Sequence, residues 1–159
     1  MNKLLITLIL LPITLNLAWG GPFEDVAEAN ERSDYATALK ILRPLASRGD
    51  AKAQLDLGVM YDIGQGVTQN YNEANSWYRL AAEQGLAKAQ IILGAMYEEG
   101  KGVTRDYTHA YMWYSLASVG GNAYSAKYRD NLAKEMTPQQ IEKAQEMAKA
   151  CQTRNFKGC

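Results

Sequence analysis

The sequence predicts an all-α protein: a short α/α superhelix (solenoid) of about three helical hairpins, closed by a C-terminal capping helix. Three observations predict it. Residues 49–84 and 85–120 are two copies of one pattern at an offset of 36 residues, and a fixed period in the thirties marks a helical repeat array. Within each copy, apolar residues recur at helical spacing. Paired glycines and capping residues punctuate the copies where one helix must stop and the next begin.

The register between the copies is close. Gly49, Ala51, Ala53, Leu57, Gly58, Tyr61, Gly64 and Gly66 meet Gly85, Ala87, Ala89, Leu93, Gly94, Tyr97, Gly100 and Gly102. Val67, Tyr71, Ala74, Trp77, Tyr78 and Ala81 meet Val103, Tyr107, Ala110, Trp113, Tyr114 and Ala117. Each hairpin has an apolar face that it cannot cover alone, so stacked neighbours must supply the core. Aromatics repeated at a fixed offset belong to that core rather than to a ligand cage.

Taken in order, residues 1–20 have the parts of a secretory signal: Lys3, an apolar stretch from Leu4 to Ala18, and the small-x-small site Ala18-Trp19-Gly20. Cleavage is expected after Gly20, with the mature chain periplasmic or secreted. The apolar run is about 15 residues, broken by Pro12 and Asn16, against the roughly 20 that a membrane span needs. No stable span is therefore expected after cleavage. No cysteine follows the run closely, so lipid attachment is not expected either.

Residues 21–48 read as a partial repeat, with helices over Phe23–Glu31 and Tyr35–Ser47. Tyr35, Ala38 and Ala46 precede Tyr71, Ala74 and Ala82 by the same 36 residues. Pro44 predicts a bend or a tightened last turn. In the full copies the first helices are expected over Ala51–Ile63 and Ala87–Glu99, the second over about Asn72–Gln84 and Thr108–Ser118. Gly58 and Gly94 fall mid-helix, where glycine costs roughly 1 kcal/mol against alanine; its recurrence predicts close approach of a neighbour. The turns Gly64-Gln65-Gly66-Val67 and Gly100-Lys101-Gly102-Val103 predict left-handed backbone at the helix ends, with the valine tucked under.

The capping segment, 121–159, departs from the pattern. A further helix starts at Asn122-Ala123-Tyr124, but Arg129 and Asp130 stand where Leu93 and Gly94 stood, and no GxGV turn follows. Thr137-Pro138-Gln139-Gln140 reads as a capped helix start. The last helix sets Ile141, Ala144, Ala148 and Cys151 on one stripe, with a polar outer face suited to a terminal repeat. The two cysteines, Cys151 and Cys159, are expected to form a disulfide after export. It would pin the tail Phe156-Lys157-Gly158 to that helix and contribute about 2.5 kcal/mol.

Charge and chemistry narrow the function classes. With 17 basic and 17 acidic residues, nothing matches the basic excess of a nucleic-acid or anionic-membrane binder. Ser-x-x-Lys, GxSxG and HExxH are absent, and the GxGV turns lack the spacing of a phosphate loop. His109 is the one imidazole, expected on the solvent side near the start of a helix. No catalytic residue, metal ligand set or cofactor is expected.

From Ala51 to Gly85 the chain reads AxAQxxLGxxYxxGxGVxxxYxxAxxWYxxAAxxG. That pattern resembles the Sel-one-like repeat, a relative of the tetratricopeptide repeat. The resemblance covers Gly49–Gly121, extends more weakly over Phe23–Arg48 and past Gly121, and includes a closing helix in MTPQQIEKAQ. It implies a superhelix that recruits other proteins or extracytoplasmic ligands. It also implies an inner groove lined by the first helix of each pair: Lys52, Leu55, Val59, Asp62 and Ile63, then Lys88, Ile91, Ala95, Glu98 and Glu99, then Tyr124, Lys127 and Asn131. Leu55, Val59 and Ile91 would give that groove an apolar floor suited to an extended peptide or helix, or would merely finish the core between repeats.

The expected function is an exported scaffold that binds a protein or peptide partner in the bacterial-type cell envelope. Two alternatives remain. Some secreted relatives have been discussed as β-lactamase-like hydrolases, but those carry a cysteine pair in nearly every repeat and this chain has none within its repeats. A purely structural envelope component is the other, including a homodimer through the less complete N-terminal pair.

Overall fold

A computed structural model describes residues 21–119 and 123–159; the signal-like stretch 1–20 and its expected cleavage point lie outside the described residues. The elements are α1 (Pro22–Glu31), α2 (Tyr35–Ser47), α3 (Ala51–Ile63), α4 (Tyr71–Ala82), α5 (Ala87–Glu99), α6 (Tyr107–Ser118), α7 (Ala123–Leu132), a 3-10 turn (Ala133–Glu135) and α8 (Pro138–Thr153). No strand occurs among the described residues.

Local chemistry sets the helix ends. Asp34, Asp50, Asn70 and Asp106 each accept from backbone N–H groups of the helix that follows, satisfying donors that a first turn leaves unpaired. That is why α4 and α6 start at Tyr71 and Tyr107, one residue earlier than the periodicity alone indicates. Thr137 and Gln140 form the expected capping box of α8: Gln140 N donates to Thr137 Oγ1 (3.3 Å) and Thr137 N to Gln140 Oε1 (2.8 Å). At Pro44 the outcome is a tightened last turn, Arg48 N–H being shared between the Pro44 and Leu45 carbonyls at 3.2 and 3.1 Å.

The glycine turns repeat in detail. Gly64 and Gly100 both have φ 72°, Gly66 and Gly102 both φ 69°. A β-carbon on Gly66 would sit 2.7 Å from Tyr35 Cβ, and one on Gly102 would sit 2.8 Å from Tyr71 Cβ. The second glycine of each turn thus lets it slide beneath the start of the preceding repeat's second helix. Val67 and Val103 tuck against the core as expected.

Each helix packs on the next: α1 on α2, α2 on α3, α3 on α4, α4 on α5, α5 on α6. Trp113 is fully buried, and Tyr78 and Tyr114 nearly so, the fate expected of repeated aromatics. Sequence reading missed one device. Gln54 Nε2 donates to the Ala46 carbonyl (3.1 Å) and Gln90 Nε2 to the Ala82 carbonyl (3.2 Å). The buried glutamine of each AQxxLG segment therefore caps the last turn of the previous hairpin.

After α6 the alternation ends. Helices α7 and α8 both pack mainly on α6. Ala148 and Cys151 of α8 join Met112, Trp113 and Leu116 in the central core. The Cys151–Cys159 disulfide forms, with Cα atoms 5.5 Å apart. It holds the tail so that Phe156 N–H bonds the Cys151 carbonyl (2.9 Å) and the Phe156 ring packs beside Gly85 and the central core.

Candidate functional site

A cleft of about 490 Å³ opens among α5, α6, α7 and the C-terminal end of α3. Its apolar part is Ile91, Ile92, Ala95 and Met96; Asp62, Glu98, Glu99, Lys101, Tyr114 and Tyr128 complete it. Ile91, Ala95 and Glu98 fall at i, i+4 and i+7 on α5, so one helix face carries both apolar and acidic groups.

Tyr114 organises the cleft. Its ring lies against Gly94, stacks on Tyr128 at 5.5 Å between centroids, and its hydroxyl donates to Glu98 Oε2 at 2.7 Å. One repeat earlier, Tyr78 lies on Gly58 and donates to Asp62 Oδ2 at 3.3 Å. Burial, then the Asp62 and Glu98 carboxylates, push both phenols well above their ordinary value, so both remain protonated donors. Lys101 Nζ sits 2.7 Å from Asp62 Oδ1 and 4.4 Å from the Tyr71 ring centroid; the bond to Asp62 holds the ammonium charged, raising its pKa.

The groove residues expected from the sequence divide between locations. Asp62, Ile91, Ala95, Glu98 and Glu99 meet in this cleft. Lys52 and Val59 line a smaller one, about 230 Å³, beneath α1, where Lys52 Nζ stands 4.0 Å over the Phe23 ring. Leu55 is a correction: it is 5% exposed, packed in the core with Ala89 and Leu93, and offers no floor to a ligand. Lys88, Lys127 and Asn131 are exposed, as are Ile63 and, at 75%, Tyr124.

Leu55 and Ile91 occupy the same repeat position. The second repeat covers Leu55, whereas Ile91 faces α7, which has Arg129 and Asp130 where a further repeat would bring leucine and glycine. Ile91 therefore stays partly buried and lines the cleft. Tyr114 and Tyr128 were not legible as site residues, since the repeat marks Tyr114 as core and Tyr128 has no counterpart aromatic in either full copy. Asp56, in the N-terminal cleft, is a further residue that sequence reading passed over.

His109 lies near the start of α6 with its side chain 35% exposed. Its Nδ1 is 2.7 Å from Asp106 Oδ2 and its ring stacks on Tyr97 at 5.1 Å. Burial opposes ionisation of Asp106, but the bonds from the His109 side chain and the backbone N–H groups of His109 and Thr108 hold its carboxyl below the ordinary value. Among the described residues no three His, Cys, Asp or Glu side chains gather as a metal set, and no helix is long and apolar enough to cross a membrane.

A family model, the Sel1 repeat, matches residues 51–86 and 87–122. This chain carries two Sel1 repeats. Its Sel1 fold is shared with c5321, a protective antigen of uropathogenic Escherichia coli strains that displays an SLR fold: TM-score 0.77 and 29% identity, covering 87% of this chain and 32% of that one. A Sel1 repeat protein from Oxalobacter formigenes is similar over 69% of this chain and 45% of its own, with TM-score 0.65 and 35% identity. The chain thus spans less than half the length of either Sel1 structure. No curated protein matches it.

Proposed function

We propose that this Sel1-repeat chain is an exported scaffold of the bacterial-type cell envelope whose α5–α7 cleft holds a segment of a protein partner, with no catalysis of its own. The observation that carries the reading is the contrast between Leu55, covered by the next repeat, and Ile91, left at the edge of an open cleft. The capping segment, with Leu132, Met136 and Ala144, covers Ile91 only in part and leaves its edge to the cleft. The cleft mixes an apolar floor with oriented polar groups, as peptide-binding grooves do. Export is supported by the leader-like residues 1–20 and by the Cys151–Cys159 bridge, which suits an oxidising compartment. The likeness to c5321, a protective antigen, points the same way.

The test is a photo-reactive residue at position 91, compared in intact cells with one at Lys40 on the exposed side of α2. A discrete protein adduct is expected at 91 alone, and Ala95→Arg, which fills the cleft, should abolish it in a folded protein. Equal adducts at both positions, or none at 91, would remove the cleft from consideration. Steady hydrolysis of a chromogenic β-lactam by the purified chain, lost in His109→Ala, would replace the scaffold by the hydrolase.

A further inference from the structure

We propose that the segment entering this cleft presents an arginine beside an aliphatic residue: the aliphatic side chain on Ile91 and Ala95, the guanidinium between Glu98, Glu99 and the face of Tyr128. The inference rests on the reading of the cleft as a partner site and adds the partner's chemistry to it.

Charge complementarity selects the occupant. Lys101 is the one cation among the described lining residues, and it is committed to Asp62 at 2.7 Å. Glu98 and Glu99 remain, and among the described residues no ion pair reaches either. Glu98 accepts from Tyr114 through Oε2, which leaves its other oxygen for a ligand. With three carboxylates, Asp62, Glu98 and Glu99, facing the single ammonium of Lys101, the cleft repels an acidic segment and draws a basic one. The apolar floor beside them asks for an aliphatic neighbour on the same segment.

Aromatic geometry then separates arginine from lysine. Tyr128 stacks on Tyr114 yet remains 49% exposed, so ring surface is available next to the carboxylates. A planar, weakly hydrated guanidinium can stack on a tyrosine and bridge two carboxylates at once, whereas an ammonium is a compact, strongly hydrated charge.

The probes are fluorescently labelled peptides of sequence Gly-Ser-Leu-X-Leu-Ser-Gly with X arginine, lysine, glutamine or glutamate, titrated against the mature chain by anisotropy. Arginine is expected to bind about tenfold tighter than glutamine, to exceed lysine, and to weaken as salt is raised. Glu98→Gln with Glu99→Gln should erase the preference; the new amide oxygen at 98 still accepts the Tyr114 hydroxyl, so the fold is kept. Tyr128→Leu should narrow the gap between arginine and lysine. Equal binding of all four peptides, lost in Ala95→Arg, would overturn the arginine inference and leave the cleft reading standing. An arginine preference that survives the double glutamine variant would also overturn it. If no peptide binds while the position-91 adduct still forms, the arginine inference falls alone; if neither is seen, both readings fall.

Discussion

The ring of Tyr114 lies so close to Gly94 that a β-carbon on residue 94 would stand 2.6 Å from Cδ1 of that ring; Tyr78 and Gly58 repeat the relationship, also at 2.6 Å. The mid-helix glycine is thus the seat of a tyrosine from the second helix of the same hairpin. The burial of a whole aromatic ring outweighs the helix propensity that the glycine forfeits. The same seat carries the phenol to the carboxylate at residue 62 or 98.

Gly94→Ala and Gly58→Ala are accordingly expected to destabilise by about 1–3 kcal/mol through overpacking, although alanine favours a helix. Urea unfolding of each variant is the measurement. A neutral or stabilising substitution would mean that the ring can withdraw without loss.

The buried glutamines make a second prediction. Gln90→Ala removes one of the two bonds that the Ala82 carbonyl accepts, the 3.2 Å one from the side chain, and leaves the 2.9 Å bond from Gly85 N–H; losing one such bond costs about 0.5–1.5 kcal/mol. Gln90→Glu should not rescue it, because a carboxylate has no hydrogen to donate. Rescue by glutamate would show that the side chain matters only for its volume.

Removal of the disulfide, by Cys151→Ala with Cys159→Ala, is expected to cost about 2.5 kcal/mol by the chain-entropy estimate. Reductant should shift the melting curve of the parent protein by a similar amount and leave the double variant unmoved. A parent curve that ignores reductant would mean that Phe156 holds the tail to the core unaided.

Asp56 supplies a pH dependence. Burial raises its pKa above the ordinary carboxylate value, against the opposing charges of Lys52 and Lys88. The folded state then binds this proton more tightly than the unfolded chain, so the contribution to stability is fully present below pH 3.8 and is lost as pH rises through the raised value. Asp56→Asn should raise the melting temperature at neutral pH, and the difference should close in acid. A constant difference at all pH values would point to hydrogen bonding rather than ionisation.

Much of this molecule is legible without coordinates because its determinants are local. The spans of α3 and α5, the left-handed glycine turns, the Thr137 capping box and the cysteine pair each depend on residues a few positions apart. The site is legible only in part. Asp62, Ile91, Ala95, Glu98 and Glu99 follow from the face of the first helices, but Tyr128 belongs to a segment with no repeat to align it, and Tyr114 carries both a core role and a cleft role.

By itself the sequence determined the number of full repeats, the bounds of their first helices, and which residues must be small. Only the tertiary structure decided that Leu55 disappears beneath its neighbour while Ile91, at the same position one repeat later, stays at the edge of a cleft. Nothing within either helix distinguishes the two, since exposure in a stacked array is conferred by the next element along. Here that element is α7, which arrives with an arginine and an aspartate where the repeat has leucine and glycine.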